Sequence, residues 1–157
     1  LSNCIYNYGF ETGNTNGWIV TPYGTPGSTA VASTTAKDHG TYGLLATAVS
    51  GGGINISQTM PCVAGQLIRA GCNIKVASST TSTVGFVQVI YTTDDGTSVA
   101  NYGDTILNTD TNWVGIGSAT VKPVPPGATK VTFNLNVQPG SGGSNVIYFD
   151  DAVLNVT

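Results

Sequence analysis

The chain is 157 residues long, with 21 Gly, 7 Pro, 40% hydrophobic but only 8% charged residues, and its five Lys and Arg against eight Asp and Glu give a formal net charge of −3. That length suits one domain with a core of its own, read here over 1–157, and the richness in Gly, Ser, Thr and Asn suits short strands and turns over helices. The acidic balance supplies no basic stripe to neutralise phosphates, which argues against nucleic acid and anionic membrane partners, and no apolar run approaches the roughly 18 residues that cross a bilayer.

From the N-terminus, residues 3–10 read as a first strand, 13–17 as a turn, and 18–22 as a second strand. A loop over 22–29 precedes a strand at 30–35, and the polar turn Lys37-Asp38-His39-Gly40-Thr41 leads into a strand over 42–49. After a break at 50–53, Ile54, Ile56, Gln58 and Met60 alternate with Asn55, Ser57 and Thr59, and residues 67–77 read as a full central strand. Thr93-Asp94-Asp95-Gly96 marks a hairpin between strands at 84–92 and 97–102, because Asp-Gly supplies the positive φ of a tight turn. Residues 105–112 read as a loop with a single helical turn, 113–121 as a strand, 130–137 as a strictly alternating strand, and 145–156 as the last. About ten short strands without an amphipathic helix predict an all-β antiparallel sandwich with jelly-roll topology.

The last strand sets Asp150 and Asp151 inside the apolar run Val146 to Leu154. A buried carboxylate is costly unless paired, hydrogen-bonded or metal-bound. Alternation places Tyr148, Asp150, Ala152 and Leu154 on one face and Asp151 on the other. The only glutamate, Glu11, lies near the opposite end, so one reading joins the chain ends around a cation held by Glu11 and Asp150. The competing reading has Glu11 accepting backbone N–H bonds in a turn and Asp150 paired with Lys37 or Lys130. Of the cysteines, Cys62 and Cys72 are either bridged or buried as free thiols.

Side-chain amides both donate and accept hydrogen bonds and aromatic rings offer apolar platforms, so together they suit ligands that carry hydroxyls on apolar faces. Alternation gives three polar rows: Thr132, Asn134 and Asn136; Arg69, Asn73 and Lys75; and Gln88. On adjacent strands these rows would form a groove, with Tyr23, Tyr91 and Tyr102 as candidates for its rim.

The ordered set Asn7-Tyr8-Gly9-Phe10-Glu11-Thr12-Gly13, Gly17-Trp18, His39-Gly40-Thr41-Tyr42, Gln58 before a Pro and Gly turn, Trp113 before a strand, and Tyr148-Phe149-Asp150-Asp151 resembles the carbohydrate-binding modules of families four, nine, sixteen and twenty-two. The resemblance implies a β-sandwich with a sugar groove on its concave sheet and a structural calcium ion near the chain ends. Its calcium set maps onto Glu11 and Asp150 with carbonyl oxygens of Gly9, Asp38 and Thr41. It also implies stacking on Trp18 and Trp113, to which the polar rows would add hydrogen bonds from Gln88, Asn134 and Asn136. The expected partner is a neutral polysaccharide of the β-glucan, mannan or xylan type. Since the chain opens on Leu1, it reads as a mature product or an excised module, secreted or at the cell surface and appended to a larger enzyme or surface protein.

Two other classes stand beside this one. Glu11 and Asp150 could be the paired carboxylates of a glycosidase, although a pair beside the chain ends fits a metal better. A structural or adhesive surface domain would keep the sandwich without a sugar site.

Overall fold

Ten strands appear in the computed structural model, which describes residues 2–157 and the backbone alone at 118–120. They are β1 (Ile19–Gly24), β2 (Thr29–Ser33), β3 (Gly43–Ala48), β4 (Gly52–Pro61), β5 (Leu67–Ser78), β6 (Thr83–Thr92), β7 (Ser98–Leu107), β8 (Val114–Pro123), β9 (Lys130–Val137) and β10 (Asn145–Val156). They form two five-stranded sheets, ordered β1-β4-β9-β6-β7 and β2-β3-β10-β5-β8. Every strand pair is antiparallel. The architecture is the expected jelly-roll sandwich, and no helix occurs among the described residues.

Period-two patterning explains why these segments pair face to face. Val131, Phe133, Leu135 and Val137 of β9 are fully buried, and they share one core cluster with Ile147, Phe149 and Leu154 of β10. Each such side chain contributes about 1.5–3 kcal/mol by leaving water. The intervening residues of β9, Thr132, Asn134 and Asn136, therefore project from the outer side of the first sheet.

Four expectations are corrected. Residues 3–10 form no strand, with turns at 6–9: Asn7 (φ 51°) and Phe10 (φ 58°) adopt the left-handed region, and the Asn7 side chain holds the carbonyls of Asn14 and Asn16 at 2.9 and 3.0 Å. Short polar residues favour such turns over a strand ladder. The expected loop over 105–112 begins later, since β7 continues to Leu107.

In β10 the ladder slips between Asp150 and Val153, where Asp151 has φ 50°. This bulge breaks the assumed alternation: Ile147 and Phe149 face inward before it, Ala152 and Leu154 after it, and Asp150 is fully buried within it. Finally, β5 belongs to the second sheet, so Arg69, Asn73 and Lys75 do not join the rows of β6 and β9.

Candidate binding face and acidic centre

The outer side of the first sheet carries a connected row of amides. Asn136 Nδ2 donates to Asn55 Oδ1 at 2.9 Å and to the Tyr23 hydroxyl at 3.1 Å. Asn134 Nδ2 donates to Asn55 Oδ1 at 3.0 Å and to Gln88 Oε1 at 2.9 Å. Gln88 Nε2 in turn donates to Asn101 Oδ1 at 3.1 Å, and Gln138 Nε2 to Asn136 Oδ1 at 2.7 Å. The ladder thus crosses all five strands, from Tyr23 on β1 to Asn101 on β7.

Backbone register makes this possible, since Asn55 pairs with Asn136, and Gln88 with both Asn134 and Gly103. Glycine matters at two points. A Cβ on Gly53 would collide with the ring of Tyr23, which lies across it, and one on Gly103 would stand 2.7 Å from Gln88 Cβ. Asn134 and Asn136 are only 5% and 4% exposed, so their amides are fixed in orientation, whereas Tyr23 is 38% exposed at the rim. The half-buried Phe86 lies beside Asn136 on β6. No member of the ladder carries a charge.

Gln88, Asn134 and Asn136 are therefore brought together, but the tryptophans are not with them. Trp18 is a core residue: it stacks on Phe10 with centroids 5.3 Å apart, meets Phe133 edge-on, and donates its indole N–H to Asn7 O at 3.1 Å. It offers no open face to a ligand, which corrects its expected stacking role. Trp113 lies on the second sheet beside Tyr148, away from the ladder. Tyr91 and Tyr102 also leave the rim, because both point into the sandwich and pack edge-on, and burial pushes the Tyr91 hydroxyl up to about 12.

Asn55 and Asn101 were not singled out from sequence. Both stand at polar positions of alternating strands, and counting back from the Asp-Gly turn would have set Asn101 close to Gln88.

The 38–42 turn collects both acids. Asp150 Oδ2 accepts the N–H groups of Asp38 and His39 at 2.8 and 3.0 Å, and Oδ1 that of Asp151 at 2.8 Å. Glu11 accepts the N–H of Thr41 at 3.1 Å and of Tyr42 at 3.2 Å. No lysine pairs with Asp150 among the described residues. Burial pushes the Asp150 carboxyl up, while the N–H groups of His39 and Asp38 pull it down.

This donor set fits a hard cation, which takes oxygen ligands. Asp150 Oδ1 accepts a single N–H among the described residues and keeps a lone pair, and Gly9 has no side chain to cover it: a Cβ there would stand 3.6 Å from Asp150 Oδ1 and 3.5 Å from Glu11 Cγ. At Asp38 and Thr41 it is the N–H groups that engage the two acids.

Beside this centre, His39 Nδ1 meets Asp151 Oδ2 at 2.6 Å and Asp38 Oδ2 at 3.4 Å. All three cysteines are free. The buried Cys72 thiol donates to Asp150 O at 3.2 Å, and burial holds its pKa well above the ordinary thiol value.

No protein-family model matches the sequence, and no curated protein matches it. Solved structures do resemble it in fold. The enzymatically active domain of tailspike protein 4 from bacteriophage CBA120 aligns over 99% of this chain at 21% identity and a TM-score of 0.79, and the chain spans only 21% of that protein's length. A family 61 carbohydrate-binding module in complex with β-1,4-galactotriose aligns over 100% of both chains at 17% identity, TM-score 0.69. A family 16 carbohydrate-binding module aligns over 98% of this chain and 99% of its own at 21% identity, TM-score 0.70. The fold is that of the β-sandwich carbohydrate-binding modules.

Proposed function

We propose that the chain is a non-catalytic carbohydrate-binding module that holds a neutral polysaccharide, of the β-glucan, mannan or xylan type, along the outer side of the first sheet. The observation that carries this reading is the uncharged ladder from Tyr23 to Asn101. Amides donate and accept at once, as sugar hydroxyls do. Because the ladder residues already hold one another, little side-chain freedom is lost on binding. Tyr23, lying over Gly53 at the rim, supplies an apolar face for a sugar ring, worth about 0.5–1.5 kcal/mol beyond its buried area.

The absence of charge along the ladder favours neutral glycans over acidic ones. The sugar ligands named for similar folds, β-1,4-galactotriose and xylohexaose, belong to that neutral class. Catalysis by Glu11 and Asp150 is disfavoured because Asp150 is fully buried and both acids are held by backbone N–H groups. In this reading a structural calcium ion rests on Glu11 and Asp150, with carbonyl oxygens of Gly9, Asp38 and Thr41 as further ligands. It would tie the N-terminal turns to β10. The module would work in a secreted or cell-surface setting, appended to a larger protein.

Affinity electrophoresis against soluble β-glucan, mannan, xylan and galactan tests this. Retardation by at least one of them, weakened in Tyr23→Ala and Gln88→Ala, is the expected result. A folded chain that none of the four retards would leave the structural or adhesive reading in its place.

A further inference from the structure

The outer side of the second sheet carries an arrangement that the ladder does not use. Trp113, just before β8, and Tyr148 on β10 both project there, with ring centroids 6.5 Å apart and planes tilted by 38°. Register sets Lys75 beside Tyr148 and Asn73 beside Gly115. One same-face step from the aromatic pair, roughly 7 Å along the strands, lies a depression of about 220 Å³ bordered by Arg69, Asn73, Gly115, Asp151 and Val153.

Three planar polar groups border that depression: a guanidinium, an amide and a carboxylate. Asn73 Nδ2 reaches Asp151 Oδ2 at 3.3 Å and Asp38 Oδ2 at 2.9 Å, which fixes the amide. The floor is bare backbone at Gly115, and packing does not require glycine there. A Cβ would meet only Asn73 Oδ1, at an ordinary 3.7 Å, and Gly115 is not among the residues with positive φ.

We infer that this face is a second carbohydrate-binding site, distinct from the ladder. One sugar ring stacks on Trp113 and Tyr148, and the neighbouring unit turns its hydroxyls to Arg69, Asn73 and Asp151. Hydrogen bonds to the charged members are stronger than amide bonds, so this site reads a single sugar unit more sharply than the neutral ladder does. Leu45 and Val31 continue the row from Tyr148 across β3 and β2, and a protein partner would use that apolar extension. The polar depression favours sugar. Because the two sites lie on opposite sheets, one module would join two glycan segments, and its avidity for polysaccharide would exceed its affinity for short oligosaccharides.

Nitrogen-detected NMR titration of the intact chain with β-1,4-galactotriose, xylohexaose, cellohexaose and mannohexaose tests the inference. The two indole N–H signals separate the tryptophans, and Trp18, bonded to Asn7 O, serves as the internal reference. The expected result is a saturable shift of the Trp113 indole and the Asn73 amide with at least one sugar. The shift should persist in Gln88→Ala and vanish in Gly115→Val, which fills the floor, and in Tyr148→Ala. Ladder signals that move while Trp113 stays still with every sugar overturn this site and leave the ladder standing. Movement at Trp113 alone supports this site and removes the ladder reading, and a spectrum unmoved throughout overturns both.

Discussion

The side-chain amide of Asn134 donates to Gln88 Oε1 across the β9–β6 pair at 2.9 Å. The same nitrogen holds Asn55 on the other side, so one side chain joins three strands. Asn134→Ala, at a site only 5% exposed, would leave Gln88 Oε1 without its donor, while Asn55 Oδ1 keeps that of Asn136. An unmet group of that kind costs about 1–3 kcal/mol. Asn101→Ala, at the exposed end of the ladder, should change stability by about 0.5 kcal/mol or less. Chemical denaturation of the two variants checks this, and equal losses would mean that the ladder does not act as a connected unit.

The two tryptophans should separate just as clearly. Trp18 is packed between Phe10 and Phe133 and keeps a bond to Asn7 O. Its replacement by Ala removes a core aromatic, at about 3–5 kcal/mol. Trp113 is half-buried on an outer face, and Trp113→Ala should cost about 1 kcal/mol, since much of its area stays in water. Unfolding midpoints that fall by the same amount would contradict the core placement of Trp18.

That contrast marks the limit of what the sequence makes legible. The bounds of β9 and β10 follow from the sequence because Lys130 to Val137 alternates without exception and Asn145 to Val156 is β-prone and free of Gly and Pro. Alternation assigns faces, but it does not name the neighbouring strand. For that reason Asn73 and Arg69 looked like partners of Asn134 although β5 lies in the other sheet. The buried position of Asp150 depends on the left-handed turn at Asp151, and aspartate tolerates that conformation without advertising it. Trp18 looks the same in sequence whether it lies over a groove or under a loop. The turns formed by Asn7 and Phe10 decide the matter.

His39 supplies a pH-dependent test. Its pKa is raised above 6.5, first by the hydrogen bond to Asp151 and then by the charge of Asp38. A folded value above the unfolded one means that the imidazolium is favoured in the native state. The resulting stability is fully present below the unfolded pKa of 6.5 and is lost as pH rises through the higher folded value. As the only histidine, its ring protons can be followed by NMR in chelator without ambiguity. Asp151→Asn should move the titration back toward 6.5, and a midpoint unchanged by that substitution would remove Asp151 as the cause.

Metal removal addresses the acidic centre. A calcium ion that binds only the folded chain stabilises it by an amount that grows with the ratio of free ion to Kd, about 2.7 kcal/mol at a hundredfold excess. For a chain of this size each kcal/mol moves the Tm by about 2–4 °C. Excess chelator should therefore lower the Tm by about 5–10 °C. Retardation by glycan should persist, because the ladder shares no residue with the acidic centre. Glu11→Gln sharpens the result. The amide oxygen can still accept the N–H groups of Thr41 and Tyr42, which Glu11 holds at 3.1 and 3.2 Å, but it brings no charge to an ion. If an ion is bound, this variant should melt lower than the parent in calcium and close to it in chelator. A parent melt unmoved by chelator, with no metal found by mass spectrometry, would remove the ion and leave backbone N–H groups, those of the 38–42 turn and of Asp151, as the partners of the two carboxylates.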